Sequence, residues 1–379
     1  LVLTEPAHHI AAPSSRARHV QCTQSITLEH QFPALEETEE QREGTAAHWA
    51  VSEMLSGRLV DVGQIAPNGY VLTHEMMLGA DMMYDDVVKS LAPYGLKPQQ
   101  GQIEQRVRID RVFPGLFGSP DYYIVVARPG NRPILLLWDY KFGHRYVEVF
   151  ENPQMVDYVA GVCGDAHDTM PGMDIVVTIV QPRSFSSAGP VRRWSTELVR
   201  LRALINISSH AVHEGLGQNP RAKVGPECRD CRARHACPTL QRSGFAGMDE
   251  AKRVTPEVMT PANASLELRL LQRSIALMKA RASGLEQQID RDIRSGKPVP
   301  GWMLVPGEAR EKWKVPAAQV IATGKLMRLE LAKPQDAITP RQAREKGLDP
   351  DIVACMAERG PAGMTLVEDD GTAARKVFG

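Results

Sequence analysis

The sequence predicts an α/β fold: a mixed central β-sheet flanked by helices, with a helical N-terminal insertion and a small C-terminal α+β module. Three observations predict it. Two apolar, β-branched runs, Tyr122-Tyr-Ile-Val-Val-Ala127 and Pro133-Ile-Leu-Leu-Leu-Trp-Asp-Tyr-Lys-Phe142, are joined by the turn-rich Arg128-Pro-Gly-Asn-Arg132, as in an antiparallel hairpin. Strand-like and helix-like stretches then alternate, as a sheet covered by helices requires. The chain has 379 residues, 43% hydrophobic and 24% charged, which suits one large globular domain plus a smaller one.

Taken in order, residues 1–20 read as a flexible N-terminus and 21–100 as mainly helical. The stretch from Glu43 to Leu55 reads as a helix opened by Gly44-Thr45, with His48 one turn in. A second helical stretch runs from Asn68 to Pro93, its methionines being core filler. Residues Gln102 to Ile109 alternate as a strand, with Glu104 on its polar face as a support for a site nearby. Pairing of the two apolar runs can bring Asp121 and Asp139 together. Strand side chains alternate between faces, so Asp139 and Lys141 project from the same one. Asn152 caps a helix beginning at Pro153, which places Gln154 and Tyr158 four residues apart on one side.

Strands at Asp174–Val180 and Val191–Ser195 follow, separated by a Ser/Gly/Pro loop at 184–190, and then a helix from about 196 to 215. Gly and Pro return near 240–260, which divides a domain over 21–245 from an accessory region over 246–379. That region holds a long amphipathic helix, Ser265 to Ser295, and a tail with Trp302 and Arg310/Lys312/Lys314 around Trp313.

Lys plus Arg number 45 and Asp plus Glu 45, a formal net charge of zero, so no global field draws the chain to a polyanion. Binding to one must use local patches: Arg106, Arg108 and Arg111; Arg192 and Arg193; Arg229, Arg232 and Arg234; or the group around Trp313. No stretch reaches transmembrane length and the first residues lack a signal-peptide pattern, so a cytoplasmic location is expected.

Two chemistries stand out. Neighbouring carboxylates repel one another unless a cation neutralises them, and an oxygen-rich site suits Mg²⁺ or Mn²⁺; His48 would complete a His/Asp/Asp metal set. Of six cysteines, Cys228, Cys231 and Cys237 crowd into one short basic stretch, while Cys163 and Cys355 stand alone. Thiolates at this spacing ligate an iron–sulfur cluster or zinc. Cys228, Cys231, His235 and Cys237 would make a local zinc site. A disulfide framework is the poorest reading for a chain of this size without a secretory signal.

The order Gly44/His48, Gly118/Asp121, Asp139/Lys141, Gln154/Tyr158 resembles the RecB-like branch of the PD-(D/E)XK nuclease superfamily. In that branch a Gly-x-x-x-His helix precedes a Gly-x-x-Asp strand, an Asp/Glu-x-Lys strand and a Gln-x-x-x-Tyr helix; here Asp stands in the acid–x–lysine motif. The resemblance covers residues 20–240 well. It implies a PD-(D/E)XK nuclease core that hydrolyses DNA phosphodiesters with Mg²⁺ or Mn²⁺, held by His48, Asp121, Asp139 and the main-chain carbonyl of Tyr140. Lys141 would position or deprotonate the attacking water, and Gln154 and Tyr158 would orient Lys141, the metal-bound water or the neighbouring phosphate. In AddB-type and CRISPR-associated members, one cysteine before the core joins three after it around a [4Fe–4S] cluster, which here implies Cys22 with Cys228, Cys231 and Cys237. The tail is similar to nucleases encoded beside phage replication and recombination genes. This favours an exonuclease acting on DNA ends, with a single-strand annealing or replication protein as partner and a homo-oligomer as the assembly. The competing classes are an inactive DNA-binding scaffold and a zinc-knuckle adaptor.

Overall fold

In the computed structural model, residues 9–33, 37–184, 186–250, 260–304 and 375–376 are described. Along the chain the helices are α1 (Arg16–Gln21), α2 (Ser25–Leu28), α3 (Glu39–Leu55), α4 (His74–Leu91), α5 (Pro153–Cys163), α6 (Ala166–Thr169), α7 (Arg202–Leu216), α8 (Pro238–Glu250) and α9 (Pro261–Arg294). The strands are β1 (Gln102–Ile103), β2 (Val107–Arg108), β3 (Phe117–Gly118), β4 (Tyr122–Val126), β5 (Ile134–Tyr140), β6 (Asp174–Val180) and β7 (Val191–Glu197).

Five strands form one sheet in the order β1-β4-β5-β6-β7, and β2 pairs with β3 in a separate ribbon. Only β5 and β6 run parallel, joined through α5 and α6; the other neighbours are antiparallel. The sheet is therefore mixed, as the sequence leads one to expect.

Strand β5 is apolar or aromatic at every position but Asp139 because it is covered on both faces, and all seven residues are buried. Leu135 and Leu137 pack with Ile175, Val177 and Ile179 under α5 and α7. Ile134, Leu136, Trp138 and Tyr140 pack on the opposite face with α3 and α4, among Ala47, Val51, Met76, Met83 and Val87. The methionines of α4 fill this second core, as their spacing predicts.

Several boundaries differ from expectation. Helix α3 begins at Glu39 with Thr38 as its cap, the Thr38 hydroxyl and Gln41 side chain closing a reciprocal capping box. Gly44 thus lies inside the helix and does not open it. The alternating stretch 102–109 is two short strands, because the backbone at Glu104 turns left-handed (φ 50°) and leaves the large sheet for the ribbon with β3. Residues 9–20 are folded: Arg16 is fully buried and donates to Asp157 of α5 at 2.5 Å and to the Ala11 carbonyl at 2.9 Å.

The chain divides into two compact units, Leu1–Trp302 and Met303–Gly379. The boundary expected at 245/246 therefore lies within the first unit. Helix α9 packs along the cysteine-bearing turns, where Arg281 donates to the carbonyls of Arg234 and His235 and Gln287 accepts from Arg234. The expected strand-plus-helices tail and the Trp313 group fall outside the described residues.

Candidate metal centre and cysteine site

The β4–β5 register sets the two acids. Tyr122 stands opposite Trp138, so Asp121 and Asp139 continue the same ladder one residue beyond. Asp121 Oδ2 accepts the Tyr140 N–H at 2.6 Å, and Tyr140 thus enters the site through its main chain. Asp139 and Lys141 share the α5 face, where Lys141 Nζ lies 3.2 Å from Asp139 Oδ1, 3.0 Å from Oδ2 and 3.3 Å from Gln154 Oε1.

Asn152 caps α5 by accepting from the Gln154 and Met155 N–H groups, which fixes its first turn toward the sheet. Gln154 Nε2 donates to Asp139 Oδ1 (3.3 Å) and to the Tyr158 hydroxyl (3.1 Å). Gly118 makes room for this: a Cβ there would stand 2.8 Å from the Tyr158 ring. From α3, His48 Nδ1 approaches Asp121 Oδ1 to 3.4 Å, and its ring packs edge-on against Tyr140. All six side chains of the expected set are therefore brought to one edge of the sheet.

The tightest group of ligand atoms is not the expected one. His48, Glu104 and Asp121 offer atoms within 4.8 Å of one another. The Glu104 N–H donates to the Asp121 carbonyl at 3.1 Å, which continues the β1–β4 pairing past its last residue. Its alternation on the polar face signals this carboxyl, and the left-handed backbone positions it.

The electrostatics match a site built to receive positive charge. Burial pushes the Asp139 carboxyl up to about 6; Lys141 opposes that shift and Asp121 adds to it. Asp139 is 1% exposed, and its Oδ2 takes no aligned hydrogen bond even with Lys141 Nζ in range. Glu104 is pushed up to about 7 by desolvation of its carboxyl and by Asp121, although the residue as a whole is exposed. Burial works against ionisation of Asp121, but the charge and hydrogen bond of His48, with Lys141 and the Tyr140 N–H, hold it below the usual range. Burial likewise disfavours a charged His48, and Asp121 outweighs it, raising the imidazole. Lys141 is raised too, its desolvation overcome by Asp139 and Asp121.

The second site lies around α1, α2 and the turns before α8. Cys22, Cys228, Cys231 and Cys237 all line one cavity, together with Arg18, Gln21 and Leu240. Residues distant in sequence are zipped together here. Gln21 Oε1 accepts from the Glu227 N–H, Thr23 Oγ1 accepts from the Arg221 N–H, and Glu29 receives both Arg18 and the Arg232 N–H. The Gly225 N–H donates to Cys228 Sγ at 3.4 Å, and a Cβ on Gly225 would collide with Gln21. Burial pushes the Cys231 thiol up to about 12 and raises Cys228 as well.

His235 does not line this cavity. Its Nδ1 faces the Arg232 carbonyl at 3.1 Å and its ring packs edge-on against Phe32. Cys163 is a core residue of α5, and Cys355 lies outside the described residues.

The basic patches look different in three dimensions. Arg108 pairs with Asp110, Arg111 with Asp168, Arg193 with Asp86 and Arg229 with Asp230. Arg192 and Arg234 are buried. Arg106 stacks over Phe117. Most of these cations are thus held by neighbours within the chain.

Sequence reasoning misses Arg16, Asp157 and Gln181, and it takes Arg192 for a surface cation when the side chain is buried against Gln181. Gln181, fully buried, ties the loop after Lys141 by donating to the Gly143 and Arg145 carbonyls and accepting from Val147 N–H and Arg192. A lone acid in the apolar stretch of α5 is the one signal that points to Asp157.

Among the described residues no helix is long and apolar enough to cross a membrane. A family model described as "Protein of unknown function (DUF2800)" matches residues 8–345. No curated protein matches the chain.

Proposed function

The chain belongs to that family of unknown function, and we propose that it is a metal-dependent DNA nuclease with a RecB-like PD-(D/E)XK site. One observation carries this reading: Asp121, Asp139, Lys141, Gln154, Tyr158 and His48, scattered over four elements, converge at one sheet edge.

The residues fit a hard divalent cation. Carboxylate oxygens with one imidazole nitrogen are a donor set that such an ion accepts, and the buried Asp139 Oδ2 takes no aligned hydrogen bond although Lys141 Nζ lies 3.0 Å away. His48 and Asp121 would hold the ion, with Asp139, the Tyr140 carbonyl and Glu104 completing the set. When bound, it supplies positive charge beside the scissile phosphate and acidifies water. Lys141 contributes a fixed cation that steers the attacking water and neutralises charge developing on the phosphate. Gln154 holds Lys141 and Asp139 in register, and Tyr158 holds Gln154.

The four cysteines support a [4Fe–4S] cluster tying the N-terminal helices to the turns before α8. Cys22 stands in the cavity lining with Cys228, Cys231 and Cys237, whereas the local zinc alternative needs His235, which is not part of that lining.

DNA ends in recombination, replication or repair are the substrate this reading favours, with a single-strand annealing or replication protein as partner and a cytoplasmic location. The test is cleavage of end-labelled linear and closed circular DNA with Mg²⁺, Mn²⁺ or chelator, comparing the parent with Asp139→Ala. Metal-dependent loss of linear DNA alone, absent in the variant, establishes an end-dependent exonuclease at this site. Cleavage of neither substrate refutes the nuclease reading.

A further inference from the structure

Two glycines flank the site, and internal packing explains only one. Gly118 is needed because the Tyr158 ring occupies the space a side chain would take. Gly44 is different: it sits inside α3, and a Cβ there would meet nothing within 4 Å. Glycine in a helix interior is less stable than alanine. Among the described residues nothing requires that cost.

What Gly44 faces is informative. It lies four residues before His48, so the two share one helix face and sit one above the other. That face holds the imidazole 3.4 Å from Asp121 and, beyond it, the ligand group with Glu104. The buried Asp139, whose Oδ2 has only the Lys141 ammonium beside it and no aligned hydrogen bond, belongs to the same site. The neighbouring Glu43 would repel a phosphate, but Arg183 takes up its carboxylate with two bonds (2.6 and 2.7 Å) while also binding Glu75. Arg183 is itself fixed over the Phe142 ring at 3.9 Å.

We propose that the bare surface of α3 at Gly44 is the track on which the sugar–phosphate backbone of the DNA strand approaches His48 and Asp121, an inference that rests on the nuclease reading. A glycine is the residue that lets another backbone come close. A methyl group there narrows the approach, and a branched side chain closes it. Gly44 is a positioning residue for substrate and plays no part in holding the ion.

The experiment compares Gly44→Ala and Gly44→Leu with the parent in three measurements. Thermal unfolding of Gly44→Ala will rise, by about 2 °C, since helix propensity improves and no contact is lost. Mn²⁺ affinity, by calorimetry, will be unchanged in both variants. KM for end-labelled linear DNA will rise about threefold for Ala and at least tenfold for Leu, with kcat less affected. Anisotropy of the same DNA on the Asp139→Ala background will report the same order of weakening.

Parent-like KM and DNA affinity in Gly44→Leu overturn the track while leaving the nuclease reading intact. Loss of Mn²⁺ binding in Gly44→Leu also overturns it, because the residue would then be shaping the metal centre. A parent that neither binds nor cleaves DNA removes the premise, and the track with it.

Discussion

Removing the carboxylate of Asp157 will cost more stability than any single change at the surface. Arg16 and Asp157 are both 0% exposed and meet at 2.5 Å, and the guanidinium has only the Ala11 carbonyl and the His19 ring as further neighbours. Asp157→Ala leaves a buried cation without its counter-charge, a change that typically costs about 3–5 kcal/mol. For a unit of this size that corresponds to a fall in Tm of roughly 5–8 °C. Replacing both partners by apolar residues of similar volume, Arg16→Met with Asp157→Leu, is the informative control. A buried pair replaced in this way is often close to neutral, so the double variant will recover most of the loss. Urea unfolding of the parent, Asp157→Ala and the double variant under identical metal conditions measures the loss and its recovery. If Asp157→Ala costs less than about 1 kcal/mol, the pair does not join α1 to α5 as described.

Other consequences can be checked alongside. Because Asp139 and Glu104 have folded pKa values raised to about 6 and about 7, these two carboxyls hold more protons in the metal-free folded protein than in the unfolded chain between about pH 4 and pH 7. Their contribution to stability is present below pH 4 and is lost as pH rises through that window; calorimetric Mn²⁺ affinity will rise over the same range, and pH-independent affinity would contradict the assignment. Gly118→Ala forces the Tyr158 ring to move, so kcat will drop at least tenfold with metal affinity retained, and an unchanged kcat would show that Tyr158 does not need its present position. Cys22→Ala will abolish the visible absorption of an iron–sulfur cluster in anaerobically purified protein while His235→Ala leaves it; the reverse pattern, with zinc found by elemental analysis, would favour the local zinc site.

Much of the architecture was legible because the sheet is covered on both sides. A strand such as β5 has no solvent face, so six apolar or aromatic positions out of seven announce it, and the acid at Asp139 stands out by contrast. The hairpin turn from Arg128 to Arg132 then fixes the register that aligns Asp121 with Asp139. The start of α3 was harder to read. Gly44-Thr45 resembles a helix opening, but Thr38 and Gln41 form the box, and a local motif cannot say which of two candidate caps the tertiary structure uses. Glu104 shows another limit: a period-two pattern does not reveal a single left-handed residue that redirects the chain. The arginines misled for a third reason. Charge composition counts cations, whereas pairing partners such as Asp86 and Asp168 arrive from distant elements.

The closure of residues 16–31 onto residues 221–237 has a consequence for how the chain acquires its structure. Thr23 meets Arg221 and Gln21 meets Glu227 across separations of 198 and 206 residues. A ribosome adding residues in order exposes Arg16, Cys22 and Glu29 long before their partners exist. The segment must wait, unpaired, until the sheet and α7 have formed, and contacts so far apart in sequence are slow to close. Asp157 waits with it, because the cation that neutralises it arrives with α1. Settling of α5 is thereby coupled to completion of the cysteine site, and a truncated product ending before Cys228 would carry His48, Asp121, Asp139, Lys141, Gln154 and Tyr158 on a fold that has not closed.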